Sequence, residues 1–200
     1  IAATGAGKSH IIASIAELVH GMSGKKILCL APSGELVEQN YAKYRATGAL
    51  ASIYSASLGK KDMKHSVIFG TPQTVANSLR KFDSRFAAVI VDEAHGITPT
   101  LKRIIDHMRS QNPLLRVIGL SATPSRMGTG YIYAHHYKTG FRDNAIDPFF
   151  HTAIYEIGAR ALINEGFLTP PVFDTVADHY DALSLAVNSR GQFDAAQIET

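Results

Sequence analysis

The sequence predicts an α/β protein: a parallel sheet with helices on both faces. Three observations lead there. Short apolar runs at 27–31, 67–70, 86–91 and 114–120 alternate with segments of helical periodicity. One of them, FAAVIVDEAH, stays apolar without alternation until Asp92, as a strand buried on both faces does. A glycine-rich stretch, ATGAGKS at 3–9, leads directly into the first helical segment.

The elements follow in order. Ile11, Ile15, Leu18 and Val19 recur at helical spacing, and Gly21 is expected to end that helix. The strand at 27–31 comes next. Ser33 is placed to cap a second helix, whose apolar face is Leu36, Val37, Tyr41 and Tyr44. After the strand at 67–70, Thr71 followed by Pro72 is a cap and first-turn signal for a third helix. Strands at 86–91 and 114–120 complete the alternation. The segment 126–144 has neither period and reads as an ordered loop or small insertion. Its Tyr131, Tyr133 and Tyr137 are secondary candidates for stacking on bases. Its pair His135–His136 lacks further metal ligands at suitable spacing. Asp147-Pro148 is expected to open a late helix with Phe150, Ile154, Ile157 and Ala161 on one side and Gly166 past its end. Residues 1–171 are therefore expected to form one domain, and 172–200 the start of a linker or next domain.

Composition narrows the class. A hydrophobic content of 46% with 18% charged residues describes a chain able to bury a core, not a disordered one. No apolar run approaches the length of a membrane span. The single cysteine, Cys29, excludes an internal disulfide and suits a reducing, cytoplasmic setting. Within KILCLA it reads as a small buried hydrophobe. A net charge of +3 permits a nucleic-acid partner without arguing for one. The basic cluster Lys60, Lys61, Lys64 and His65 reads as a solvated loop before it reads as a nucleic-acid path.

Three pieces carry chemistry. Thr4, Gly5, Ala6, Gly7, Lys8 and Ser9 form a candidate nucleotide-binding loop. Gly5 and Gly7 allow successive N–H groups to point at phosphate oxygens. Lys8 reaches the terminal phosphates as a point charge, and Ser9 offers a hydroxyl to Mg²⁺. The strict pattern has a glycine where this chain has Ala2, a position that closes the strand. In VIVDEAH, residues 89–95, a carboxylate at the tip of a buried strand is poorly explained by packing. Beside a phosphate loop Asp92 is the Mg²⁺ partner, and Glu93 would take a proton from the attacking water. In GLSATPSR, residues 119–126, the hydroxyls of Ser121 and Thr123 can bond across to His95 and couple nucleotide state to a neighbouring groove. Each piece has an ordinary reading when taken alone: a glycine turn, a solvated Asp-Glu pair, a Ser/Thr turn stopped by Pro124. Their joint occurrence makes those readings weak.

Together they resemble the first motor domain of superfamily 2 DEAD/DEAH-box helicases and translocases. ATGAGKS looks like motif I, LAPSGELVEQ (30–39) like motif Ia, DEAH like motif II and SAT like motif III. FGTPQTV (69–75) resembles the segment of these proteins that grips the nucleic-acid backbone. The resemblance implies a RecA-like P-loop NTPase fold that uses ATP and Mg²⁺. It implies Lys8, Asp92 and Glu93 as catalytic residues, with Ser9 and Asp92 toward the metal. It also implies sequence-blind contacts to DNA, or alternatively RNA, from Pro32, Ser33, Thr71 and Gln73. Longer stretches (KYRATG, VIFGTPQTVANSL, LSATPSRMGTGYIY, HHYKTG and IYEIGARALINEGFLTPPV) are similar to the RadD-like family of bacterial DNA-repair helicases, which implies DNA-dependent ATP hydrolysis in repair. The alternatives are the motor subunit of a restriction enzyme, an RNA helicase and, outside enzymes, a nucleic-acid-binding module with a relic ATP site. A motor of this class works with two such domains. The second is expected to be missing from this chain, and so is the strand ahead of the loop. A fragment of that kind is expected to fold poorly, bind ATP weakly and hydrolyse it slowly.

Overall fold

A computed structural model describes residues 1–128 and 130–171. The expected linker or second-domain start at 172–200 lies outside them. The described residues fall into two compact units, 1–122 and a second that begins at residue 123.

The first unit carries strands β1 (Lys26–Leu30), β2 (Ala51–Ser55), β3 (Lys60–Lys61), β4 (Val67–Gly70), β5 (Phe86–Val91) and β6 (Arg116–Gly119). They form one six-stranded sheet in the order β3-β2-β4-β1-β5-β6. All neighbours run parallel except β3, which pairs antiparallel with β2. This is the α/β, mainly parallel architecture expected from the sequence. The registers align the carboxyl ends: Leu30 lies opposite Gly70 and Val91, and Val91 opposite Gly119. Pro32, Thr71, Asp92 and Ser121 therefore emerge along one edge of the sheet, where ligands bind in such folds.

Both faces are covered. Helices α1 (Lys8–Ser23) and α2 (Gly34–Arg45) pack on one, where Ile12, Ala13 and Ala16 meet Ile27, Cys29, Val37 and Tyr44. The ring of Phe69 lies 5.6 Å from that of Tyr44 and 6.2 Å from that of Tyr41. Leu28, Leu30, Ile68 and Tyr54 alternate to the opposite face and are just as fully buried. Helices α3 (Pro72–Ala76) and α4 (Pro99–Gln111) pack together, and α4 buries Leu101, Ile104, Ile105 and Met108. Each such side chain contributes about 1.5–3 kcal/mol on burial.

Several elements differ from expectation. Helix α1 passes through Gly21 and ends at Ser23, where Gly24 adopts φ 64° and donates its N–H to the His20 carbonyl. An isolated helical glycine costs only about 1 kcal/mol, so the residue that can turn left-handed sets the end. Leu18 faces outward, and Ile11, Ile15 and Val19 flank the buried stripe. The Asp147-Pro148 helix does not form. Phe150–Ala153 is a strand, β11, and the helix shrinks to α5 (Ala159–Asn164) behind Gly158. Pairing decides the matter, because β11 runs parallel to β9 (Tyr133–His136), with Phe150 opposite Tyr133 and Thr152 opposite His135.

The second unit also holds the hairpin β7 (Ser125–Arg126) with β8 (Gly130–Tyr131), and β10 (Gly140–Phe141) beside β9. The segment 126–144 is thus built from short strands. At Gly130 an added Cβ would collide with the Asn144 carbonyl oxygen. Among the described residues no helix is long and apolar enough to cross a membrane.

Candidate functional site

The glycine-rich loop begins against β6: the Ala2 N–H bonds to the Ser121 carbonyl at 3.0 Å. The Ala6 N–H closes a turn on the Ala3 carbonyl, with Thr4 exposed at its tip. Gly5 and Gly7 hold φ of 81° and 75°, a left-handed geometry that residues with a Cβ adopt at a cost of about 1–2 kcal/mol. Gly7 is the N-cap of α1, and its carbonyl accepts from His10 and Ile11. The chain therefore turns from loop to helix at Lys8, with the positive end of a sixteen-residue helix facing the loop.

The other side of the site is the turn after β5. The Asp92 N–H bonds to the Leu30 carbonyl, and that of Ala94 to the Leu120 carbonyl, each at 2.8 Å. Between them Glu93 takes φ 48°, so its side chain leaves the strand direction and turns to the loop. Glu93 Oε1 pairs with Lys8 Nζ at 3.1 Å, and its Oε2 with His95 Nδ1 at 3.3 Å. The same ring nitrogen shares a hydrogen bond with Ser121 Oγ at 3.1 Å. A polar path thus runs from Lys8 through Glu93 and His95 to Ser121. The structure brings these four sequence-predicted residues together. Thr123 begins the second unit.

Asp92 is 5% exposed. Its Oδ1 accepts from the Glu93 N–H at 2.9 Å and its Oδ2 from Asn40 Nδ2 at 2.8 Å. Ser9 Oγ accepts from Gln39 Nε2 at 3.3 Å. Gly5, Gly7, Lys8, Ser9, Asp92 and Glu93 line one cavity of about 310 Å³, at the small end of the range for ligand sites. Ser9 and Asp92 offer hard oxygen donors of the kind Mg²⁺ takes. Among the described residues no group of three or more His, Cys, Asp or Glu side chains is arranged to hold a metal ion by itself. Nearby Cys29 is fully buried, and burial, then the charge of Asp92, pushes its thiol far up from its ordinary pKa.

A second cavity of about 330 Å³ opens along the strand ends. Pro32, Thr71, Gln73 and His95 line it, and Asp92 and Glu93 line it too, so the turn after β5 is shared by both cavities. The candidate backbone-gripping residues have different surroundings. Ser33 caps α2, its Oγ accepting from the Leu36 N–H at 3.3 Å. Gln73 is exposed on α3, with Nε2 at 3.5 Å from Asn77 Oδ1. Thr71 is 9% exposed, and its hydroxyl turns inward to Thr74 Oγ1 at 2.8 Å and Ser55 Oγ at 3.4 Å. The basic cluster separates along β3: Lys60 pairs with Ser55 at the carboxyl-end side of the sheet, whereas the His65 carbonyl is held by Lys26 Nζ below.

Asn40, Gln39 and Lys43 are not singled out by the sequence, yet Gln39 and Lys43 line the cavity beside the glycine-rich loop and Asn40 holds Asp92. One signal was available. Asn40 sits three residues after Val37 and four before Tyr44, within the stripe of α2 that is buried, and a polar residue there needs a partner.

Comparison with known proteins agrees with this architecture. Residues 1–126 match the family described as Type III restriction enzyme, res subunit. The fold is similar to that of the UvsW helicase from bacteriophage T4 (TM-score 0.52, 25% identity, 61% of this chain and 45% of that one). It is similar to the Hef helicase domain of Pyrococcus furiosus (TM-score 0.55, 27% identity, 64% of this chain and 30% of that one). The Type ISP restriction-modification enzyme LlaGI, solved with a DNA substrate mimic, shares the fold over 84% of this chain and 18% of its own at 17% identity (TM-score 0.55). This chain spans less than half the length of each of these proteins. The sheet order, the loop-to-helix turn at Lys8 and a match over well over half of the residues lead to one assignment: the chain belongs to the family of the Type III restriction enzyme res subunit.

Proposed function

We propose that this chain is the first motor domain of an ATP-driven DNA helicase or translocase of the RadD-like repair type. It would work in the cytoplasm with a second RecA-like domain. The single observation that supports the reading best is the polar path Lys8–Glu93–His95–Ser121, set beside a buried Asp92 at the mouth of a glycine-rich loop. Thr4 to Ser9 would cradle the phosphates of ATP through backbone N–H groups. Ser9 and Asp92 would hold Mg²⁺, which when bound neutralises charge on the transferring phosphate.

In the geometry described, Glu93 neutralises Lys8. An arriving phosphate competes for Lys8 and releases Glu93 Oε1 to accept a proton from the attacking water. Glu93 Oε2 remains paired with His95, so loss of the terminal phosphate is felt at His95 and Ser121. His95 lines the cavity that also holds Pro32, Thr71 and Gln73, which gives hydrolysis a route to the strand-gripping side. Ser33, Gln73 and the helix N-termini would meet phosphates there without reading bases. Thr71, its hydroxyl engaged inward, would shape that surface rather than lend its hydroxyl to it.

The family match favours a second reading, the motor subunit of a restriction enzyme. Cleavage of DNA by the natural full-length protein would select it.

The test is ATP turnover of the full-length protein with and without single-stranded DNA. DNA should stimulate turnover, and RNA should stimulate it less. Glu93→Gln should keep nucleotide binding and lose about 10²–10⁴-fold in turnover. Lys8→Ala should lose binding as well. Unchanged turnover in Glu93→Gln would falsify the assignment of Glu93, and a full-length parent without ATP turnover would favour a relic site.

A further inference from the structure

We infer that Asn40, on α2, is a positioning residue for the metal side of this site: it clamps the Asp92 carboxylate in the orientation that receives Mg²⁺. The inference rests on the proposed ATP-binding role of the loop and extends it to a residue outside the loop and the DEAH turn.

Asp92 stands at the end of β5 with both carboxylate oxygens engaged. The backbone N–H of Glu93 fixes Oδ1 at 2.9 Å, and the Asn40 amide fixes Oδ2 at 2.8 Å. The first bond comes with the left-handed turn at Glu93 and survives any change of side chain elsewhere. The second crosses from a separate element, 52 positions away in sequence. With both in place the carboxylate plane cannot rotate, and only the remaining lone pairs can face the cavity. A donor to an ionised carboxylate makes a short, strong hydrogen bond.

Stability alone does not explain an asparagine here. Asn40 is 2% exposed and lies between Val37 and Tyr44 on the inward stripe of α2. Its Oδ1 is buried without a protein hydrogen-bond partner. A leucine of similar size would fill that stripe with no unpaired amide oxygen of its own, but it would leave Asp92 Oδ2 without this donor. What the asparagine supplies, and a leucine cannot, is the N–H directed at Asp92. The neighbouring residue makes the same kind of contact: Gln39 Nε2 reaches Ser9 Oγ, the other proposed metal-facing oxygen, at 3.3 Å. Two adjacent residues of one helix thus address both. Partners that orient metal-facing side chains typically change metal affinity by about 10–100-fold when removed.

The experiment measures binding of a fluorescent ADP to the full-length protein across a Mg²⁺ titration, with and without chelator. In the parent protein Mg²⁺ should tighten ADP binding. In Asn40→Leu the Mg²⁺ midpoint should rise about 10-fold or more, while metal-free ADP affinity stays within about twofold. In an Asp92→Asn background the same substitution should add no further shift, because it acts through that carboxylate. If Asn40→Leu fails to give folded protein, Asn40→Ser, too short to reach Asp92, is read by the same criteria. An unchanged Mg²⁺ midpoint in a folded variant overturns the inference and leaves the proposed function standing. So does an equal loss of metal-free affinity, which would mean that α2 merely supports the loop. A parent protein whose ADP binding ignores Mg²⁺ sinks both.

Discussion

Glu93 shows what a single residue concedes to the site. It is one of two described non-glycine residues with positive φ, the other being Asp147. A left-handed backbone costs a residue with a Cβ about 1–2 kcal/mol. The turn that imposes it carries Oε1 to Lys8 and Oε2 to His95, and it places the Glu93 N–H on Asp92. The price in stability therefore serves the geometry of the site. Two truncations separate the effects. Glu93→Ala and Glu93→Gly lose the same carboxylate and the same ion pair, but only the glycine escapes the backbone penalty. Glu93→Gly should be the more stable of the two by about 1 kcal/mol in urea denaturation, even after the entropy cost of glycine. Equal midpoints would mean that the turn stores no strain. Both variants should be without ATP turnover.

At the scale of elements, close approach is the governing constraint where β4 ends. Gly70 sits between Leu30, the last residue of β1, and Tyr54, the last but one of β2. A Cβ there would come within 2.8 Å of the Tyr54 carbonyl oxygen and 3.2 Å of Val75 Cγ2. A carbonyl in a sheet cannot move aside as a side-chain tip can, so Gly70→Ala should destabilise by about 1–3 kcal/mol. A thermal midpoint equal to the parent's would contradict that packing. Such contacts also mark the limit of what sequence makes legible. β5 was readable because FAAVIV is apolar on both faces, as its burial requires. β2, ASIYS, is just as buried but was not, because Ser52 and Ser55 dilute the run and are accommodated by hydrogen bonds to Asp62 and Ser57. β11 reads as helix in the sequence because Phe150, Ile154 and Ile157 fall near a helical repeat, whereas its pairing with β9 is a long-range fact. The Thr98-Pro99 start of α4 repeats the Thr71-Pro72 signal and was open to the same reading. In the site, the phosphate loop and the DEAH turn announce themselves as contiguous motifs. The Asn40–Asp92 bond does not, since it exists only once α2 has packed on the sheet.

At the scale of the molecule, the described residues of the two units differ in how much apolar surface they remove from water, and that difference should set the order in which they open. In the first unit Leu28, Ile27, Val67, Ile68, Val89 and Ile90 are completely buried, and β1, β4 and β5 lie inside the sheet with neighbours on both sides. Among the described residues of the second unit, the buried apolar side chains are Ile132, Tyr133, Ala153 and Leu162, none below 3% exposure. Phe141, Ile154 and Phe167 are more than 70% exposed there. Among those residues its sheet has three strands, of which only β9 has a partner on each side. Local opening costs less where fewer apolar contacts must be broken, and exchange of amide hydrogens with solvent reads that cost directly. Each large apolar side chain left exposed forgoes about 1.5–3 kcal/mol, and 4 kcal/mol is roughly a thousandfold in exchange rate. Amides of β9 and β11 should therefore exchange at least a hundredfold faster than those of β1 and β5 in the native protein. Protection in β9 equal to that in β1 would mean that the second unit draws its stability from something other than its own small core.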